Sequence, residues 1–195
     1  MTKKYAWLPE KNFLFCLCFV YYRKKIPHKK FTEVKLSDNN IALDNASLRI
    51  LEILQENAEI TNTELAERVG LSPSPCWRRV AEMREKGIIK GAVMLVDPIK
   101  LDLAVNVFIN VTLQRQDKET LDQFTQAIAI RREVMECYLM TGEADFLLRV
   151  VIKDLMHYQK FMLNVLTKIP GVSNIRSSFS LEQVKYTTSL PVQSK

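Results

Sequence analysis

The segment 103–190 repeats one plan twice, and that repetition restricts the fold more than any other feature of the chain. In "VNVFINVTL", Val105, Val107, Ile109, Val111 and Leu113 alternate strictly with Asn106, Phe108, Asn110 and Thr112, the two-residue period of a strand with one buried face. A helix follows over about Lys118 to Ile130, with Leu121, Phe124 and Ile128 as its apolar stripe, and "VMECYLM" reads as a second strand. After "TGEAD" the plan recurs. A strand "FLLRVVI" leads to a helix from Leu155 to Ile169, with Leu155, Tyr158, Met162 and Val165 inward; beyond "PGV" a strand runs through Ile175, Ser177, Phe179 and Leu181. Two such halves make βαββαβ, a four-stranded antiparallel sheet with both helices on one face. The other face needs a cover, and the sheet of a second subunit would supply it, which makes this module a dimeriser.

The segment 41–90 reads differently, as three short helices. Leu48, Leu51, Leu54 and the neighbouring Ile50 recur at helical spacing behind Asp44, an N-cap residue, and predict a helix of roughly Asn45 to Asn57. "TNTE" has the form of a capping box, Thr61 with Glu64. Gly70 closes that second helix, and Ser72 stands as the cap of a third, about 73–86, with Pro73 in its first turn. Pro75 leaves the Ser74 amide as the natural partner of the Ser72 hydroxyl. Gly87 ends the helix, and "IIKGAVMLVD" reads as two short strands hinged near Lys90 and Gly91. Helix, helix, tight turn, helix and a small hairpin is the plan of a winged helix-turn-helix.

Charge supports this locally and not globally. The net +6 resides in residues 1–40, which carry nine Lys/Arg and three Asp/Glu, while residues 41–195 carry 19 of each sign. Within that neutral body, Asp44 to Glu67 holds six acids against Arg49, and Arg68 to Lys90 holds six bases against Glu82 and Glu85. The basic patch therefore surrounds the third helix. On it Cys76, Val80 and Met83 share a packing face, with Ser74, Arg78, Ala81, Glu82 and Glu85 opposite. Such an outward face, carried by an N-terminal half turned to solvent, suits the major groove of double-stranded DNA. Arg78 can reach a base edge, and Ser72, Ser74, Arg79 and Arg84 can take phosphates, within a motif running from Asn62 to Ala81. Cys76 and Trp77 read as packing residues rather than a redox site or a stacking platform.

Residues 1–40 resemble neither segment. Phe13 to Tyr22 is a ten-residue apolar run before a basic tail, too short to span a bilayer, which needs about 20 residues, and no small-residue cleavage site follows it. It reads as a disordered extension or a translated upstream region, with an arm onto a partner subunit or DNA, or a membrane role, as the alternatives. Four cysteines without a CxxC pair, and two histidines, argue against zinc and for reduced thiols in a cytoplasmic protein. No cofactor, metal site or catalytic constellation is expected: there is no paired acid and base, phosphate loop or metal cluster in the sequence.

The order of these pieces is similar to the Lrp/AsnC family, the leucine-responsive and asparagine-synthetase regulators. The resemblance spans about Ile41 to Val192 and is carried jointly by the Leu-Ser-Pro-x-Pro-Cys turn at 71–76, the Thr-Gly-x-x-Asp loop at 141–145 and the Pro-Gly-Val step at 170–172. "PCW" and "EQVKYTTSLP" resemble a proteobacterial branch that includes cysteine-responsive regulators. The resemblance implies an α+β protein: a winged helix-turn-helix over 41–102, then a ferredoxin-like (RAM/ACT-like) domain over 103–195 that binds an effector and oligomerises. It implies a transcription regulator whose homo-dimers pair through the C-terminal sheets and assemble to tetramers or octamers, with no membrane and no enzyme activity. Its effector, usually an amino acid, is expected at Thr141, Gly142, Glu143 and Asp145, with Ser177 and Ser178 nearby. Asp145 would hold an α-ammonium while turn amides take the α-carboxylate; the bland alternative is a strand-joining turn with a solvated acid. The rival function is a small-molecule-binding module or enzyme whose helices make only protein contacts.

Overall fold

A computed structural model describes residues 43–192. The expectations for residues 1–40 lie outside them.

Three helices open the described chain: α1 (Asn45–Glu56), α2 (Asn62–Val69) and α3 (Pro73–Glu85). Each start has a local cause. The Asp44 carboxylate accepts from the Ser47 amide, and Thr61 and Glu64 complete the reciprocal capping box. Gly70 ends α2 with φ +76°, a left-handed turn that a Cβ would strain. Between the helices, Ile50, Leu65, Ala66, Val69, Cys76 and Met83 are buried. On α1 the buried centre falls on Ser47 and Ile50, and the leucines at 48, 51 and 54 are only half-buried.

The expected hairpin does not form. No strand occurs between Ile88 and Asp97, and Val93, Met94, Leu95 and Val96 are all exposed. A two-stranded ribbon without a third strand or a helix behind it is marginal in water, and the described chain offers this segment neither.

A 3-10 turn, Ile99–Leu101, leads to β1 (Val105–Leu113), α4 (Lys118–Ala129), β2 (Val134–Leu139), β3 (Phe146–Ile152), α5 (Leu155–Asn164), a second 3-10 turn (Leu166–Lys168) and β4 (Val172–Phe179). The strands pair antiparallel in the order β2-β3-β1-β4, the doubled strand-helix-strand arrangement. Register puts Val107, Ile109 and Val111 of β1 beside Val150, Leu148 and Phe146 of β3 on the helix-covered face. There Phe124 of α4 stacks on Phe146, ring centroids 4.4 Å apart. Two expectations fail here. Leu155, expected inward, is exposed in the first turn of α5, while Phe161 further along the helix is buried; Leu181, expected on the last strand, lies past its end and is fully exposed. The opposite face carries Phe108, Asn110, Thr112, Arg149, Arg176 and Ser178 without cover from the described residues. Arg149 spans three strands on that face: it donates to Asn106 of β1 and to Glu136 of β2 at 2.8 Å, and its bond to Glu136 is the main cause holding that carboxyl below its usual range.

A pair of hydrogen bonds joins Leu190 to α1. The Gln55 side-chain amide donates to the Leu190 carbonyl at 3.1 Å and accepts from the Leu190 amide at 2.7 Å, a reciprocal pair across 135 residues.

Candidate DNA-binding and effector sites

The N-terminal end of α3 is prepared by its sequence. Pro73 and Pro75 have no amide protons, so of the first three amides only that of Ser74 can donate. The expected bond from it to the Ser72 hydroxyl is absent, because Ser72 makes no side-chain cap at all. The Ser74 amide and both hydroxyls are therefore presented outward at the positive end of the helix dipole, a setting that favours a phosphate oxygen. Asn62 anchors this end from behind, donating to the Pro73 carbonyl at 2.9 Å.

The two adjacent arginines divide. Arg78 and Arg84 are exposed on the outer side of α3, as the helical spacing requires. Arg79 turns back: its guanidinium pairs with Asp44 and with the Ser47 hydroxyl at 3.1 Å, bracing α3 against the start of α1. It therefore departs from the phosphate role that sequence suggested, and the reason is that its position faces the α1 N-cap. Asp44 has a pKa lowered to about 2, first by the Ser47 hydrogen bonds and then by Arg79. Burial raises the Cys76 thiol, which is wholly enclosed, so the residue packs as expected and is no thiolate. Trp77 does not pack: it is 64% exposed. Sequence reading took it for a packing residue like Cys76, but of the two neighbours only Cys76 is buried.

The expected effector residues also divide. A cleft of about 380 Å³ opens on the uncovered sheet face beside the 140–145 loop, bounded by Asn110, Thr112, Met140, Glu143, Asn174 and Arg176. Thr141 and Ala144 line it too. Glu143 and Arg176 face each other at 3.4 Å, both largely exposed and so lightly committed to each other. Asp145 is not available to a ligand. It is buried, one carboxylate oxygen accepting from the Leu113 amide at 2.7 Å and the other from Gln116 Nε2 at 2.6 Å. Its backbone is equally engaged, with Val111 and Met140. The aspartate is thus a brace that fixes the loop to the end of β1. Ser177 lies on the helix-covered face, hydrogen-bonded to the Tyr158 hydroxyl at 2.5 Å, and so points away from the cleft. Ser178 is on the open face opposite Phe108, and Gly142 is at the loop tip with φ +119°; neither bounds the cleft. Sequence reasoning missed Arg176 and Asn174, although they lie two and four residues before Ser178, on the same strand face, which was a usable signal.

Among the described residues no group of three or more His, Cys, Asp or Glu could hold a metal ion, and no helix is long and apolar enough to cross a membrane.

A three-helix module presenting a recognition helix, followed by a doubled strand-helix-strand domain with a cleft on its open face, defines a DNA-binding regulator with a ligand-binding domain. Comparison with known proteins agrees in both parts. Residues 43–90 match winged helix-turn-helix DNA-binding domains, and residues 106–190 match the Lrp/AsnC ligand binding domain. The chain is 41% identical over 150 residues to the Bkd operon transcriptional regulator of Pseudomonas aeruginosa, covering 77% of this chain and 98% of that one. It is 36% identical over 151 residues to the DNA-binding transcriptional activator DecR of Escherichia coli K12, covering 77% and 99%. Among solved structures, a transcriptional regulator of Neisseria meningitidis in complex with L-Met superposes with a TM-score of 0.74 at 39% identity, covering 77% and 97%. The chain belongs to the Lrp/AsnC family of transcriptional regulators. Its function is therefore DNA binding and regulation of transcription, not catalysis.

Proposed function

We propose that this protein regulates transcription in response to an amino acid bound in the cleft beside Glu143 and Arg176. It does so as a cytoplasmic homo-dimer that associates into tetramers or octamers. The observation that carries the reading is the opposed pair at the cleft mouth, Arg176 and Glu143 at 3.4 Å. A free amino acid bears the inverse pair, a carboxylate for the guanidinium and an ammonium for the carboxylate. The L-Met complex of the Neisseria relative supports the ligand class. Asn110, Thr112 and Asn174 add neutral hydrogen-bonding groups, and Met140 gives an apolar wall.

The cleft is open on one side, so a second surface would have to close it. The uncovered sheet face and the exposed run Val93–Val96 offer the area for that surface from another copy. Effector binding would then shift the association equilibrium and with it the number and spacing of recognition helices presented to DNA.

Calorimetric titration of the full chain with each amino acid, beginning with methionine, leucine and cysteine, tests the reading. The expected result is binding of at least one, lost in Arg176→Ala while the circular dichroism spectrum is unchanged. Heat from none of them, or equal binding by Arg176→Ala, would overturn the assignment of the cleft.

A further inference from the structure

Trp77 sits on the recognition helix where packing does not explain it. The indole is 64% exposed and makes no hydrogen bond, ion pair or ring contact among the described residues. Along α3, Ser74, Trp77, Arg78 and Ala81 occupy positions i, i+3, i+4 and i+7 and so form one continuous face in the first two turns. Cys76 and Met83, both buried, mark the other side of the helix. The outward face thus combines a hydroxyl and a guanidinium with an indole and a methyl group. It is the part of a helix-turn-helix that meets base edges.

We propose that Trp77, with Ala81 beside it, reads the C5-methyl group of a thymine in the major groove, while Arg78 takes a neighbouring hydrogen-bonding base edge. Trp77 is then a specificity-determining residue for the DNA recognition already assigned to this helix, and the proposal rests on that assignment. In the major groove guanine, cytosine and adenine offer donors and acceptors, and thymine alone adds an apolar landmark. An indole has one donor and no acceptor, so it gains little from the polar edges. Against a methyl group it removes apolar surface on both sides from water. The contact carries no charge, so unlike Arg78 or Arg84 it releases no counterion and leaves the salt dependence unchanged.

The test begins with the full chain and a pool of random-sequence duplexes, from which bound sites are selected. Each thymidine of the selected site is then replaced singly by 2′-deoxyuridine, which deletes only the methyl group. For the wild type, one replacement per half-site weakens binding about fourfold, roughly the worth of one buried methyl group, with the slope against salt unaltered. Trp77→Ala binds the parent site more weakly and is indifferent to that replacement; Trp77→Phe keeps part of the penalty, and Arg78→Ala keeps all of it. Thermal unfolding confirms that the variants are folded, as expected for an exposed position. The chain has two tryptophans, at 7 and 77, so in a Trp7→Phe background the emission of Trp77 reports the contact directly and should change on binding the selected site. The proposal is overturned if no uridine replacement weakens the wild type, or if Trp77→Ala suffers the same penalty as the wild type. Failure of any sequence to be enriched would remove sequence-specific DNA recognition itself, and this inference with it.

Discussion

The carboxylate of Asp145 accepts the amide proton of Leu113 at 2.7 Å, closing the loop before β3 onto the residue that ends β1. Gln116 occupies the second oxygen. Removing the carboxylate leaves a buried amide with no acceptor, so Asp145→Ala should lower stability by about 2–3 kcal/mol. Urea unfolding checks this, and a midpoint equal to the wild type would deny the bracing role. Any weakening of effector binding in this variant is expected to come from a displaced loop, since the Asp145 carboxylate is already engaged by Leu113 and Gln116.

Arg78 and Arg79 should separate by assay. Arg78→Ala is expected to weaken DNA binding and to reduce the slope of log affinity against log salt by about 1 if the guanidinium neutralises a phosphate, or to relax base preference if it reads a base, with the melting temperature nearly unchanged. Arg79→Ala breaks the brace to Asp44 and Ser47, so it should lower the melting temperature first. Equal effects of the two on both assays would contradict the division of roles.

Asp44 carries a pH signature. Its pKa is lowered from 3.8 to about 2 in the folded chain, so it stabilises the fold above pH 4 and that contribution is lost as pH falls from 4 towards 2. The group is half exposed, so screening limits the effect to about 1 kcal/mol or less. Asp44→Asn, which can still cap α1, should flatten the acid limb of the stability curve by that amount. Urea midpoints at several pH values between 4 and 2 would read it.

Gly171 has a φ of +86°, and a Cβ there would lie 2.6 Å from the Cγ2 of Thr120. Gly171→Ala should cost about 1–3 kcal/mol from backbone strain and the clash together. Adding Thr120→Ser removes the offending methyl, keeps the hydroxyl bonded to Asp117, and should recover only the steric part. Full recovery would mean that the backbone strain is negligible.

Much of this architecture was legible because period and turn chemistry agreed. β1 follows its expected alternation, buried at Val107, Ile109, Val111 and Leu113, and the caps at Asp44 and Thr61 fall where their side chains required. What sequence missed depends on neighbours rather than on the element itself. An aspartate after a glycine-bearing turn is as compatible with a solvated ligand as with a brace, and only the approach of the Leu113 amide, 32 residues earlier in the chain, decides between them. Arg79 and Ser177 were misassigned likewise, since their partners Asp44 and Tyr158 are 35 and 19 residues away. Trp77 erred in the opposite sense: a large apolar side chain predicts burial, and among the described residues no helix buries it.

The pair formed by Gln55 and Leu190 has a consequence for biosynthesis. Its halves are separated by 135 residues, so the three helices leave the ribosome with the caps at Asp44 and Thr61 already encoded beside them and long before the clasp exists. At about 5–20 residues per second, the nascent recognition helix spends on the order of ten seconds as part of an unclasped domain. The clasp therefore closes well after the local contacts of the three helices, once residue 190 has been made.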